Sequence, residues 1–390
     1  MIDYSRFLSS KVQNIPPSGI RKFFDIAAEM KGVISLGVGE PDFVTPWAIR
    51  EAGIYSLEKG YTHYTANRGF SELCKEICNY QSRKYNLDYN PATETIVTVG
   101  GSEAIDIFMR AVVSPGDEVL IPVPSFVCYK PCAELAGGVA VEIETEEADS
   151  FRLTPEKLLA KITDKSKVLV MPFPNNPTGA IMEYDDLVKI AEIVEKHNLF
   201  VISDEIYGEL TYSGKHIPFA TIPNMKERTV TVNGFSKAFA MTGWRLGYAC
   251  GPEPIIQQML KVHQYAIMCA PTTSQYAAVE ALKSCDEDVE YMKNEYNNRR
   301  RVMVNGFRNM GLSCFEPLGA FYVFPNISST GLTSDEFATQ LLYDQKVAVV
   351  PGSAFGSGGE GFIRCSYAYS IKNIEKALER IASFVGKIKK

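Results

Sequence analysis

The sequence predicts an α/β fold: a large domain on a mostly parallel sheet with helices on both faces, joined to a smaller α+β domain. Three observations predict it. Apolar runs of strand length alternate with helix-length patterns from residue 94 to residue 250. Those strands are apolar almost throughout instead of alternating with polar residues, as expected of strands covered on both faces. After about residue 285 the rhythm changes to one long, highly charged helix followed by short strands. The 390 residues suit about two or three domains. The expected division is 46–284 for the large domain, with 1–45 and 285–390 forming the small one.

In chain order, strands are expected at 94–99, 118–123, 139–144, 168–173 and 199–203, each a short apolar run. Helices are expected between them at 102–113, 126–136, 154–162 and 184–197. This βαβα order needs crossover helices and so a parallel sheet. Further strands are expected at 229–232 and 246–250. A charged helix follows at 286–310, then short strands at 312–315, 320–323, 347–350 and 362–366, with a helix between them and a last helix at 374–388. Within the first 45 residues only 23–30 has a helix-length pattern, and this segment is expected to pack on the small domain or line the cleft.

Composition bounds the function. Apolar residues make up 46% and charged residues 22%, as in soluble globular proteins. A chain this long buries a sufficient core without disulfides or metals. The net charge is −6, and Lys387, Lys389 and Lys390 are too short a basic run to bind nucleic acid. No apolar run approaches the ~20 residues that span a bilayer. Met1–Arg6 lacks the pattern of a secretory signal. The nine cysteines include no CxxC and read as buried free thiols of a cytoplasmic protein. His63, His197, His216 and His263 have no metal-ligand spacing, so no metal site is expected.

Ligands of such a sheet sit beyond the carboxyl ends of its strands, and several motifs fall there. In Val99-Gly100-Gly101-Ser102-Glu103-Ala104 a strand ends, two glycines turn the chain and a helix starts. Unpaired N–H groups at such a start hold a phosphate, although a plain turn with Ser102 as N-cap has the same sequence. Gly37-Val38-Gly39 lacks the third glycine of a dinucleotide fingerprint. It serves either as a flexible turn or for close backbone approach to a substrate. Asn175-Asn176-Pro177-Thr178-Gly179 is a turn signal. Ser203-Asp204-Glu205-Ile206-Tyr207 ends an apolar strand with two acids, one placed for a ligand or both capping the next segment of chain. Lys237, in Ser236-Lys237-Ala238-Phe239, sits among small and aromatic residues. A lysine desolvated there favours its neutral amine and can act as a nucleophile. Arg245 offers a planar guanidinium to a phosphate.

Taken together, these segments resemble the class I/II aminotransferases, the fold-type-I enzymes that use pyridoxal 5′-phosphate (PLP). The resemblance runs from Pro16-Pro17-Ser18-Gly19 to Arg364. It rests on GEPDF (39–43), GGSEA (100–104), NNPTG (175–179), SDEIY (203–207), SKAFAMTGWRLG (236–247), GAFY (319–322) and VVPGSAFG (349–356) in this order. It implies a three-layer PLP-transferase-like large domain with the smaller α+β domain beside it.

The resemblance also implies roles. Lys237 forms the Schiff base with PLP and then moves a proton between the substrate Cα and the cofactor. Asp204 pairs with the pyridine nitrogen. Tyr207 and Asn176 donate to the phenolic oxygen, and Asn176 also borders the substrate. Phe126 stacks on the ring. The phosphate rests on Ser102, Glu103 and Ala104, with Ser236 and Arg245 beside it. Tyr64 reaches the phosphate of a partner subunit, which implies a homodimer with shared active sites. Arg364 and the Gly39 N–H bind the substrate α-carboxylate, and Ser18, Gly19 and Ile20 line the side-chain pocket. Gly234 and Ser102 depart from members with serine and lysine at these positions, and the second departure weakens a strict aspartate assignment. The expected reaction is ping-pong transfer of an amino group from an L-amino acid to a 2-oxo acid, with aspartate-, aromatic- or diaminopimelate-like donors. A PLP-dependent C–S β-lyase and a non-catalytic PLP-binding sensor are the alternatives.

Overall fold

The computed structural model describes residues 2–17, 19–20 and 30–388. The helix expected over 23–30 and the pocket residue Ser18 fall outside these residues, Met30 excepted. β1 (Ile34–Ser35) precedes the strands of the central sheet. These are β2 (Thr95–Thr98), β3 (Glu118–Val123), β4 (Val139–Glu144), β5 (Ser166–Met171), β6 (Phe200–Asp204), β7 (Thr229–Gly234) and β8 (Gly247–Cys250). Their spatial order is β2-β8-β7-β6-β5-β3-β4. β7 and β8 are buried along their whole length, which is why their sequences are apolar without alternation.

β4, β3, β5, β6 and β7 pair in parallel, while β8 runs antiparallel to both β2 and β7. The sequence rhythm does not give that direction, but the connection does. Residues 235–246 contain only a 3₁₀ turn at Thr242–Trp244, too little for the crossover that a parallel neighbour requires. The reversal has a consequence for the site. The start of β8 lies at the same sheet edge as the ends of its neighbours, so Arg245 is delivered beside the Gly100-Gly101 turn. Gly247 is needed for that approach, because a Cβ there would lie 2.6 Å from the Gly100 carbonyl carbon.

Helices cover both faces. Ile105 and Phe108 of Gly101–Val112 and Met259 of Glu253–Ala266 pack with Val119, Val170 and Val232 on one face. Leu187, Ile190 and Val194 of Tyr184–Lys196 pack with Leu120, Leu169 and Val201 on the other. The periodicity reading does not resolve four helices: Trp47–Glu58, Ser71–Tyr85, Glu253–Ala266 and Thr272–Ser284. Two have evident reasons. Thr272–Ser284 is buried nearly all round by small residues such as Ala277, Ala278 and Ala281. Trp47–Glu58 exposes Trp47, Ile54, Tyr55 and Leu57. Neither shows a single apolar stripe.

After residue 285, Asp286–Asn309 is the long helix the sequence predicts. The short strands differ from expectation. β9 is only Tyr322–Val323, because Ala320 adopts a left-handed φ of 57° that interrupts extension. The strand at 312–315 reduces to an isolated bridge between Cys314 and Pro325. The 347–350 strand divides into β10 (Val347–Ala348), parallel to β1, and β11 (Val350–Pro351), antiparallel to β12 (Ile363–Ser366). β12 also pairs with β9. Met292, Phe307, Phe321, Tyr322, Phe337, Ile363 and Phe384 form one buried cluster, and Tyr207 and Leu210 enter it from the end of β6. That insertion fixes the chain after Asp204 against the smaller part.

Candidate active site

A cavity of about 450 Å³ opens at the carboxyl edge of the central sheet. Its lining includes Ile20, Gly39, Ser102, Phe126, Asn176, Asp204, Tyr207, Ser236, Lys237, Arg245 and Arg364, brought together from distant parts of the chain. Glu103 and Ala104 lie behind the lining. Tyr64 is on the surface, 80% exposed, and does not border the cavity of its own chain.

At one end is an anion cradle. The helix Gly101–Val112 starts here, with Gly100 as its N-cap at φ 80°. A Cβ on Gly100 would come within 2.9 Å of the Arg245 guanidinium. Absence of a side chain therefore lets a cation lie over the helix N-terminus, where the unpaired N–H groups already favour negative charge. The Glu103 side chain turns away from the cavity. It accepts from the Val99 N–H and contacts Nδ1 of the buried His263 at 2.6 Å, tying the turn to the neighbouring helix.

Lys237 follows β7 and points inward. Its Nζ donates to the Gly39 carbonyl at 2.6 Å and lies 5.7 Å from the Phe321 ring centroid. Burial, with the Arg364 charge next in importance, pushes its pKa down to about 8. The depressed value means the nucleophilic neutral amine becomes the major form above pH ~8 instead of above the ~10.4 of an ordinary lysine. In the cofactor-free chain, competitive labelling with an amine-reactive reagent should therefore give Lys237 a midpoint near pH 8. Exposed lysines should stay near 10, and a Lys237 midpoint at 10 would contradict the burial argument.

The two acids at the end of β6 part company. Asp204 borders the cavity, where its Oδ2 accepts from the Tyr129 hydroxyl at 2.7 Å and its Oδ1 from the Ile206 N–H at 3.2 Å. Burial raises its pKa, and these two hydrogen bonds oppose the rise. Glu205 points away from the cavity. It accepts from Ser203 Oγ and the Phe219 N–H, and its Oε2 lies 3.0 Å from Nε2 of His216. One acid serves the site and the other holds the turn.

Arg364 is 2% exposed. Its guanidinium donates to Asn176 Oδ1 at 2.9 Å and to the Gly37 carbonyl at 2.6 Å, and lies 4.4 Å from the Tyr322 ring centroid. Its Nε has no partner among the described residues. A buried cation with an unsatisfied donor beside a cavity is prepared for an anionic ligand. Asn175 instead accepts from the Thr178 N–H and hydroxyl. The motif thus uses its first asparagine for the turn and its second for the site.

Sequence reasoning missed two lining residues of consequence. The Tyr322 hydroxyl lies 2.8 Å from the Tyr207 hydroxyl, and a Cβ on Gly39 would reach within 2.2 Å of it. Its signal was present in GAFY but pointed to no role. Tyr129 lies three residues beyond Phe126, at the start of the helix Tyr129–Ala136, and reads as core. An anion cradle, a buried carboxylate and a depressed amine in one cavity suit a phosphorylated aldehyde with a basic ring nitrogen.

The family described as aminotransferase class I and II matches residues 31–381. Bacillus subtilis (strain 168) YugH, whose aminotransferase name is provisional, is 54% identical over 381 residues, covering 98% of this chain and 99% of YugH. The aspartate aminotransferase of Pyrococcus abyssi (strain GE5 / Orsay) is 46% identical over 379 residues, covering 96% of this chain and 97% of that one. The solved structure of an aromatic aminotransferase from Pyrococcus horikoshii OT3 is similar at TM-score 0.90 and 44% identity, covering 94% of this chain and 99% of that one.

Proposed function

Because the chain belongs to the class I and II aminotransferases, which depend on PLP, we propose that it moves the amino group of aspartate-, aromatic- or diaminopimelate-like donors to 2-oxoglutarate. The observation that supports this reading best is the convergence of Lys237, Asp204 and Arg364 on one cavity with the Lys237 amine held near pKa 8.

Bound PLP supplies a carbonyl carbon that takes up the amino group and a ring that accepts the electron pair left at the substrate Cα. The chain does the rest. Lys237 holds the cofactor covalently and, once released, moves a proton at the substrate Cα. Asp204 holds a proton on the ring nitrogen. Tyr207 and Asn176 orient the ring oxygen, and Phe126 covers the ring face. The first turn at Ser102, Glu103 and Ala104, with Ser236 and Arg245, holds the phosphate. Arg364 and the Gly39 N–H fix the substrate carboxylate, while Ile20 borders its side chain.

The division 46–284 against 1–45 with 285–390 places most cofactor contacts in the large domain and Arg364 in the small one. A homodimer completes the site. Tyr64 of one copy would reach the phosphate of the other, and Trp47, Tyr55, Leu57, Tyr61 and Tyr265 expose apolar surface that a second copy would cover. Among the described residues, the cations bordering the cavity are Lys237, Arg245 and Arg364, all with other work. A donor's distal carboxylate therefore needs a cation from beyond this lining, whereas an aromatic donor needs none. No helix among the described residues is long and apolar enough to cross a membrane. The free cysteines suit a reducing compartment, and we place the protein in the cytoplasm.

The test is a donor panel with PLP-loaded protein and 2-oxoglutarate, read as glutamate formed. Aspartate, phenylalanine, tyrosine and diaminopimelate should include the best donors. Ammonia and pyruvate released from cystathionine, with no glutamate from any donor, would overturn the reading in favour of the lyase.

A further inference from the structure

Tyr129 has no part in the proposed reaction. Its hydroxyl is nonetheless the one side-chain donor to Asp204 among the described residues, at 2.7 Å from Oδ2. The tyrosine is 2% exposed, and its ring stands edge-on to Phe126, with centroids 6.2 Å apart.

We propose that Tyr129 is a positioning residue that fixes the Asp204 carboxylate toward the cofactor's ring nitrogen and favours its ionised form. This rests on the assignment of Asp204 to that nitrogen. Packing alone does not explain the hydroxyl. Tyr296 buries a hydroxyl that finds no hydrogen-bond partner among the described residues, so this fold accommodates a buried tyrosine with an unpaired oxygen. Tyr129 differs in aiming its hydroxyl at Asp204, the carboxylate that ends β6 on the cavity wall.

The surroundings make that bond matter. Asp204 is taken out of water, which disfavours its charge, and Glu205 adds like charge along the strand. The Cys128 thiol also lies nearby, on the Tyr129 side. Lys237, the Ile206 N–H and the Tyr129 hydroxyl act the other way. With the cofactor bound, Lys237 is engaged elsewhere, leaving the backbone donor and Tyr129. Without the hydroxyl the carboxyl gains freedom to rotate and to protonate, and a neutral acid holds a protonated pyridine weakly.

The test compares equilibrium affinity for PLP with that for an analogue carrying CH in place of the ring nitrogen. The wild-type chain should prefer PLP, and Tyr129→Phe should narrow that preference by about tenfold or more, the scale of a hydrogen bond to a charged group. With ¹⁵N-labelled PLP, the ring nitrogen resonance should move from its protonated toward its neutral position in the variant. Equal weakening of both ligands, or an unmoved resonance, would show a packing role and overturn the proposal. In an Asp204→Asn background, Tyr129→Phe should leave the preference unchanged, and any further change would mean that Tyr129 does not act through Asp204. Tyr129→Met, which fills the space flexibly, repeats the comparison if the phenylalanine variant does not fold. A wild-type chain that binds neither ligand would overturn the site assignment itself, and this inference with it.

Discussion

Lys237→Ala should lose turnover by at least about 10⁴-fold, because the proposed reaction asks one side chain for both the covalent hold on the cofactor and the proton transfer at Cα. Its surroundings explain why no neighbour substitutes. Nζ lies between the Gly39 carbonyl and the rings of Tyr207 and Phe321. The remaining cations on the cavity wall are arginines, which do not release a proton at any working pH. Two measurements check this. Borohydride treatment of the PLP-loaded wild type followed by peptide mapping should label Lys237. The variant should bind PLP reversibly with no label at any residue, and small free amines should restore part of the lost rate. Label on another lysine, or near-normal turnover in the variant, would remove the basis of the proposed mechanism.

Arg364→Ala should lower kcat/KM for amino acid and 2-oxo acid alike by about 10²–10³, chiefly through KM, as expected for loss of about 3–4 kcal/mol of charge-assisted hydrogen bonding. The guanidinium is held by Asn176 and the Gly37 carbonyl before any ligand arrives, so little reorganisation offsets the gain on binding. Arg364→Lys should recover little, since an ammonium cannot reproduce the planar fork. PLP affinity, measured by fluorescence titration, should change less than threefold or so, because the proposed reaction assigns the arginine to the substrate and not to the cofactor. An unchanged KM would exclude Arg364 as the carboxylate anchor. A collapse of PLP affinity would move it to the cofactor.

The parts of this site legible in the sequence are those where a strand end, a turn and an unusual polar residue coincide. Lys237 among aromatics and Asp204 closing an apolar run fall at the expected edge because strand order and side-chain type both register locally. Gly100-Gly101-Ser102 reads as a helix start, but nothing local places Arg245 over it. That contact depends on β8 reversing direction, a property of the connection's length and not of the strand. Tyr322 and Tyr129 were missed because a buried tyrosine looks the same whether its hydroxyl is idle or engaged. The strand expected at 320–323 was misjudged because its extension is interrupted at Ala320, whose left-handed backbone carries no sequence mark.

Gly39 shows how narrowly the centre is toleranced. Its missing methyl is the space the Tyr322 oxygen occupies, and its own carbonyl receives Lys237. The Tyr322 oxygen in turn touches the hydroxyl of Tyr207. One carbon added at this position would displace a tyrosine pair and a lysine in a single stroke. The keystone of this centre is a hydrogen atom.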